Sequence, residues 1–381
     1  MTERHYLAVC PLGLEAVLAG ELRALGAGDI EERFGGVACT GDQALGYAMC
    51  LWLRSASRVQ ERLAHGRVRT REDLHALAGS IDWSRSLTPT QTLLVEGTVK
   101  ASFASDTRFP LLVVKDAVCD QFRERTGERP SVDKERPDLR IRLVLQEDTA
   151  TLYRDLGGSL HERGYRTGTH RSALPEATAA GLLLHTEWDR RAPLCDPMCG
   201  SATFLIEAAW LATDRAPGLR RTLPCLGWPD ADAATFARLH EEAVARAQRG
   251  ADTVLRLAGN DRHAGALTIA RQAIAAAGLG DRIALRHGDC ADYVPPLPTK
   301  RVLCNPPYGS RHDGEDPAVA ASWNALGDFL RRECEDAVAW VLCGNADLAR
   351  HLGLRALVKM PVKNGAIDSR WLCYDLANAG E

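Results

Sequence analysis

Apolar positions near the start of the chain first run together and then repeat at helical spacing. Residues 6–10 read as a strand, and Leu14, Val17, Leu18, Leu22 and Leu25 fall on one helical face that Gly26 and Gly28 close. Residues 30–34 and 37–40 read as two strands around Gly35-Gly36, and Asp42 is placed to cap a helix running to Leu51. Strand–helix–strand–strand–helix is the order of a ferredoxin-like module, predicted over residues 1–56.

A second α+β unit is predicted over residues 57–157. Its strand at 92–98 precedes a helix at 109–125 that turns Leu112, Val113, Val118 and Phe122 inward and stops at Gly127. Leu139, Ile141, Leu143 and Leu145 alternate with Arg140, Arg142 and Gln146, a half-buried strand with a charged outer face, and 149–155 continues antiparallel to it. Gly157-Gly158 marks the boundary.

From residue 158 to 381 strands alternate with longer helices. Helices are predicted at 176–188, 204–212, 263–277 and 323–334, and strands at 194–196, 254–259, 283–286, 301–304, 337–343, 354–362 and 370–375. This alternation predicts an α/β fold with a doubly wound, mostly parallel, Rossmann-like sheet. Residues 214–250 read as an insertion with a polar helix and no assigned chemistry.

Composition narrows the partners. The 381 residues are 45% hydrophobic and 25% charged, as in a soluble chain with several buried cores, and the formal net charge is -3. Nucleic acid could therefore be held only by local patches, and two are visible. One is Arg58, Arg62, Arg67, Arg69 and Arg71; the other is Arg123, Arg125, Arg129, Lys134, Arg136, Arg140 and Arg142. Interleaved acids leave a self-paired surface as an equal alternative. The twelve cysteines are scattered without a Cys-x-x-Cys, so no metal site and no disulfide is expected. The N-terminus lacks a secretory pattern and no apolar run is long enough for a bilayer, so a cytoplasmic location with no membrane partner is expected.

Three acids follow three successive strands of the third unit. Asp196 opens the turn Asp196-Pro197-Met198-Cys199-Gly200-Ser201-Ala202-Thr203, which leads into a helix; one glycine and a leading carboxylate suit a cationic ligand better than a pyrophosphate. Asp261, before Arg262, is placed to accept both hydroxyls of a ribose, and Asp289, before Cys290, to read an adenine amine. Singly each acid is better read as a helix cap or surface charge; in chain order the three point to an adenosine-bearing ligand.

Asn305-Pro306-Pro307-Tyr308 follows the next strand. An amine conjugated to a base is a poor nucleophile, because its lone pair is delocalised into the ring. The Asn305 side-chain oxygen and the Pro306 carbonyl can accept its two N–H bonds and aim the lone pair at a methyl donor. Prolines stiffen the turn, and Tyr308 offers a face on which an extruded base can stack. No phosphate loop, His-Glu-x-x-His or Gly-x-Ser-x-Gly occurs.

Residues 196–209 and the run Cys304-Asn-Pro-Pro-Tyr-Gly resemble the bacterial large-subunit ribosomal RNA guanine-N2 methyltransferases of the RlmL type. Cys10-Pro-Leu-Gly-Leu-Glu, residues 51–59, residues 123–134, Pro137-Asp-Leu-Arg-Ile and Ser159-Leu-His-Glu-Arg-Gly-Tyr-Arg extend the likeness over nearly the whole chain. The resemblance implies ferredoxin-like, THUMP and class I methyltransferase domains. It implies S-adenosyl-L-methionine in a pocket lined by Asp196, Met198, Cys199, Gly200, Asp261, Arg262, Asp289 and Cys290, with Asn305, Pro306 and Tyr308 at the target base. Ribosomal RNA is the first expected partner and transfer RNA the second; a catalytically silent RNA-binding assembly factor is the alternative in another class. A second methyltransferase module, present in some members, is not expected. Ala202 stands where the family carries glycine.

Overall fold

A computed structural model describes residues 3–166, 174–308 and 317–377, and its two sheets divide near the predicted boundary at Gly157. The first contains β1 (Arg4–Val9), β2 (Gly28–Arg33), β3 (Gly36–Gly41), β4 (Arg58–Arg67), β5 (Thr92–Lys100), β6 (Ser131–Val132), β7 (Leu139–Gln146) and β8 (Thr149–Asp155). Their order is β2-β3-β1-β4-β8-β7-β5-β6. Helices α1 (Glu15–Ala24), α2 (Gln43–Trp52), α3 (Arg71–Gly79) and α4 (Arg108–Thr126) pack against it. Asp42 caps α2 by accepting from the Leu45 N–H at 2.9 Å, and Gly127 ends α4 in the left-handed conformation.

The pattern predicts neither β4 nor α3. Strand β4 pairs with β1 on one side and β8 on the other, so one sheet runs through both N-terminal units. Its period is masked because an inward position is charged. Glu61 is buried and accepts from Arg4 at 3.1 Å and from Arg154 at 2.9 Å. Arg154, itself buried, forks to both oxygens of Asp230 at 3.0 and 2.9 Å. A buried charge is tolerated only when paired in this way.

The second sheet contains β9 (Leu194–Asp196), β10 (Leu257–Asp261), β11 (Ala284–His287), β12 (Arg301–Cys304), β13 (Val338–Cys343), β14 (Val358–Asn364) and β15 (Ile367–Asp375), in the order β11-β10-β9-β12-β13-β15-β14. The first five are parallel; β14 and β15 form an antiparallel edge. The remaining helices are α5 (Glu176–His185), α6 (Thr203–Ala212), α7 (Ala233–Arg249), α8 (Ala264–Ala276) and α9 (Pro317–Glu333).

Several boundaries differ from the pattern. The strand expected at 254–259 is Leu257–Asp261, with Val254 exposed. The helix expected at 176–188 ends at His185, where Trp188 turns back and donates to the Ala192 carbonyl at 3.0 Å. The strand expected at 354–362 starts at Val358, and α9 starts at Pro317 rather than Trp323. Periodicity locates an apolar face; solvent at each end decides how far an element extends.

The stretches that carry the resemblance meet at the junction between the sheets. Helix α6 is buried from Thr203 to Leu211, so its Glu207 cannot reach water. Arg163 pairs with Glu207, both side chains being fully buried, and also donates to the Arg54 carbonyl. The Tyr165 hydroxyl donates to the other Glu207 oxygen at 2.8 Å. On the first unit's side of the junction, Glu21 accepts from the Arg54 N–H at 2.7 Å and the Ser55 N–H at 3.0 Å. The insertion braces the same joint: Gly218 donates to the Leu51 carbonyl at 2.9 Å, and the Arg246 guanidinium lies 3.8 Å from the centre of the Trp52 ring. Arg163→Ala strands a buried carboxylate, and we expect it to cost about 3–5 kcal/mol. A lowered midpoint in urea denaturation of the full chain checks this; an unchanged midpoint refutes the assigned role.

All twelve cysteines are buried free thiols. Among the described residues no helix is long and apolar enough to cross a membrane.

Candidate active site

Strand β9 lies between β10 and β12, parallel to both. From β9 the chain winds outward to β10 and β11, then crosses back to β12 and β13. The direction of winding therefore reverses between β9 and β12, which opens a crevice beyond their carboxyl ends. Asp196 ends β9, Asp261 ends β10, Asp289 follows β11 and Asn305 follows β12.

Three hydrogen bonds shape the floor of this crevice. Cys199 N–H donates to the Asn260 carbonyl at 2.8 Å, and Gly200 N–H donates to Asp261 Oδ2 at 2.9 Å. Asp261 Oδ1 accepts from the His263 N–H at 2.8 Å. Asp261 thus fastens the turn after β9 to the end of β10, while each oxygen keeps a lone pair for a further donor. The turn packs so tightly on β10 that a side chain at Gly259 would lie 2.6 Å from Leu205 and 3.1 Å from Cys199.

Asp196 is buried, and the Met198 N–H donates to it at 3.1 Å. Burial drives its carboxyl well above the usual range, with a smaller push from Asp261 and an opposing pull from the Met198 hydrogen bond. A desolvated carboxylate with one short-range donor is suited to a cation. Asp289 is exposed and caps a short 3-10 turn by accepting from the Ala291 N–H at 2.9 Å. Met198 is half-buried against the second core, Cys290 is packed into that core, and Arg262 is exposed with its Nε–H toward His263 at 3.3 Å. A contact from Cys290 to a ligand would therefore be made by its backbone.

Asn305 is half-buried and Pro306 buried. The Pro307 carbonyl accepts from the Trp323 indole at 2.7 Å, which clamps the turn to α9. Asn305 Oδ1 is buried and has no hydrogen-bond partner among the described residues. Tyr308 is held on two sides. Its hydroxyl accepts from the Asn364 amide at 2.9 Å, and its ring lies against Gly344, where an added Cβ would come within 2.9 Å. Burial raises the phenol above its ordinary value, and its bonds to Asn364 and Asn305 oppose that rise.

Asn260, Asn364, Gly344, Trp323 and Tyr293 complete the site, and the sequence pattern assigns none of them a role there. Asn260 is fully buried and donates to the Pro197 carbonyl at 3.2 Å and the Gly288 carbonyl at 2.9 Å, tying together the turns after β9 and β11. Its Oδ1 and the Tyr293 hydroxyl are buried without partners among the described residues. Asn260 stands directly before Asp261, so its position in a strand-end triplet was the available signal. Asn364 and Gly344 come from distant strands, and only the fold brings them to Tyr308.

Ala202 takes φ +61° and is fully buried in the apolar core, so the cost of replacing glycine lies in the backbone. An L-residue in the left-handed region is strained by about 1–2 kcal/mol. We expect Ala202→Gly to raise stability by about 1 kcal/mol, part of the relief being offset by the freer unfolded chain. Chemical denaturation checks this; a destabilised variant would show that the buried methyl packing outweighs the strain.

Comparison with known proteins gives three family matches: an RlmL ferredoxin-like domain at residues 5–60, a THUMP domain at 68–155, and an RMKL-like methyltransferase domain at 163–372. The ribosomal RNA large subunit methyltransferase K/L of Syntrophotalea carbinolica is 39% identical over 98% of this chain and 53% of its own length. The protein of the same name from Methylococcus capsulatus is 38% identical, over 98% of this chain and 51% of its own. The chain thus spans about half the length of these curated relatives. Among solved structures, SMU.472 complexed with SAH superposes with a TM-score of 0.88 at 28% identity, over 98% of both chains.

Proposed function

The chain belongs to the RMKL-like methyltransferase family, and from that premise we propose that it transfers a methyl group from S-adenosyl-L-methionine to the exocyclic N2 amine of a guanine in large-subunit ribosomal RNA. The observation that carries the reading is the buried Oδ1 of Asn305 at the switch point, unpartnered among the described residues and beside a crevice lined by Asp196 and Asp261. Left unpaired, a buried acceptor costs about 1–3 kcal/mol, so its retention is explained by a donor that arrives with substrate.

The residues fit the methyl donor. Asp196 would take the ammonium of its methionine part, and Asp261 the ribose hydroxyls through its free lone pairs. The turn of Met198, Cys199 and Gly200 would lie along the ligand. Arg262, Asp289 and the backbone of Cys290 would flank the adenine. When bound, S-adenosyl-L-methionine supplies an electrophilic methyl group. The relative crystallised with SAH supports this choice of ligand.

On the other side of β9, Asn305 Oδ1 and the Pro306 carbonyl accept the two N–H bonds of the guanine amine. This draws the nitrogen lone pair out of conjugation and fixes its direction. Tyr308 stacks on the extruded base, and Gly344 and Asn364 hold its ring still. The THUMP match and the names of the K/L relatives support an RNA substrate and a ribosomal one.

The test is nucleoside mass spectrometry after incubation of the purified chain and S-adenosyl-L-methionine with unmodified large-subunit ribosomal RNA and, separately, transfer RNA. N2-methylguanosine in the ribosomal RNA alone is expected. Product in transfer RNA alone moves the substrate, a methylated adenine refutes the amine assignment, and failure of calorimetry to detect S-adenosyl-L-methionine binding favours a silent RNA-binding factor.

A further inference from the structure

Phe34 is 92% exposed, the most exposed of the large hydrophobic side chains among the described residues. It sits at the tip of the β2–β3 hairpin, and that tip is rigidly fastened. Glu15 accepts from the Gly13 N–H at 2.7 Å and the Gly35 N–H at 3.0 Å, while Cys10 N–H donates to the Gly35 carbonyl at 3.0 Å. Gly35 supplies the φ of +74° that the turn needs. The run Cys10-Pro-Leu-Gly-Leu-Glu therefore builds a mount for an aromatic ring in water.

The same loop docks on the methyltransferase sheet next to the catalytic turn. The Leu12 carbonyl accepts from the Lys363 N–H at 2.9 Å, and Gly13 lies so close to β14 that a Cβ would sit 2.1 Å from the Pro361 carbonyl oxygen. The residue after Lys363 is Asn364, which holds the Tyr308 hydroxyl. Hairpin tip, loop, β14 and Tyr308 are thus linked by a chain of direct contacts, which ties the mount of Phe34 to the turn that carries Tyr308.

Beyond Phe34 the open face of the first sheet turns basic. Register places Tyr153 directly between Arg62 and Arg142, so the three side chains share one face. Arg62 and Arg142 make no ion pair among the described residues, Arg142 reaching only the Thr98 hydroxyl at 3.5 Å. Arg33, which pairs with Glu31 two residues before it at 2.7 Å, is close enough to the Tyr153 hydroxyl to act on it electrostatically. Other charges on this face are neutralised, Arg58 by Asp155 and Arg140 by Glu96.

We propose that Phe34 is a stacking platform for an unpaired nucleotide flanking the target guanine, with Arg62 and Arg142 taking phosphates of the strand that leads away from it. The proposal rests on the RNA reading above. Unpaired bases stack on exposed aromatic rings, and unpaired arginines on a sheet face supply the matching charge. A ring whose mount is tied to a base-accepting site has a use that an isolated surface phenylalanine lacks.

The test is fluorescence anisotropy with a labelled hairpin RNA carrying an unpaired purine loop, titrated with the full chain over a range of salt. Phe34→Ala is expected to weaken binding about 5- to 100-fold and Phe34→Trp to restore it. Arg62→Ala with Arg142→Ala is expected to lower the salt slope by about 0.7 for each phosphate lost. S-adenosyl-L-methionine affinity, read by calorimetry, stays unchanged in all three. Wild-type affinity in Phe34→Ala, equal rescue by leucine, or no binding of the hairpin by the native chain overturns the platform. Binding that depends on Phe34 without any methylated product would refute the enzymatic reading and leave the platform standing.

Discussion

Asn305→Ala is expected to lower the methyl-transfer rate by at least about 10²–10³-fold while leaving S-adenosyl-L-methionine affinity as it was. Removing one acceptor aimed at the reacting group costs about that much in comparable sites. Cofactor binding survives because the residues assigned to it lie on β9, β10 and β11, on the other side of the switch point from β12. Stability should change little, because two effects of the truncation oppose each other. It removes an oxygen that is buried without a partner among the described residues, and it also removes the amide's hydrogen bond to Tyr308. Single-turnover methylation, calorimetry and denaturation read the three quantities separately. Normal turnover would refute the role of Asn305; lost turnover with an equally lost stability would show that the residue is structural.

Asp261→Ala is expected to act on the other half of the site. Two hydrogen bonds donated by ribose hydroxyls to a carboxylate, at about 1.5–3 kcal/mol each, correspond to a loss of affinity of about 100-fold or more. The effect exceeds lost ligand contacts, because the same carboxylate holds the Gly200 and His263 N–H groups. Without it the turn after β9 is released, and stability should fall by about 1–3 kcal/mol. Asp261→Asn keeps one acceptor oxygen and should fall between wild type and alanine in both respects. Calorimetry with SAH checks the affinity, and an unchanged dissociation constant would remove Asp261 from the ligand.

The two variants separate what each half of the crevice does. Under the proposed function Asp261 would join ligand binding to the integrity of the loop, so its loss would be felt in stability and affinity together. The unpaired Asn305 oxygen would instead carry a cost that only the arriving amine offsets. Asp196 belongs with Asn305 in this respect: it is a buried carboxylate whose ionised form is disfavoured until a cation reaches it.

The strand-end acids and the Asn305 turn were legible in the sequence because each is local. Strand–turn–helix connections place their first residues at the carboxyl edge of a parallel sheet, wherever that sheet lies in the molecule. The same logic located β7 and β8 to the residue, since strict alternation against Arg140 and Arg142 leaves no other register. It failed at β4, where Glu61 faces inward and is stabilised by Arg4 from another strand and Arg154 from a third. No window of sequence contains both a buried acid and the distant arginines that make it tolerable. In the basic patches the sequence left charge for nucleic acid and self-pairing as equal alternatives, and only the fold divides them. Arg67, Arg69, Arg123 and Arg125 are paired with Asp148, Asp120 and Asp82, while Arg62 and Arg142 remain free of ion pairs among the described residues.

By itself the sequence determined the three-unit layout, the doubly wound sheet and the placing of Asp196, Asp261, Asp289 and Asn305 at four strand ends, because these depend on period, turn residues and chain order. Tertiary structure alone decided that one sheet joins the first two units, that Gly344 and Asn364 hold Tyr308, that Asn260 ties two turns together, and that the loop beneath the Phe34 hairpin docks on β14. Those facts rest on contacts between residues far apart in the chain. Such contacts form only when many buried groups find mutual partners at once, and no local pattern records that agreement.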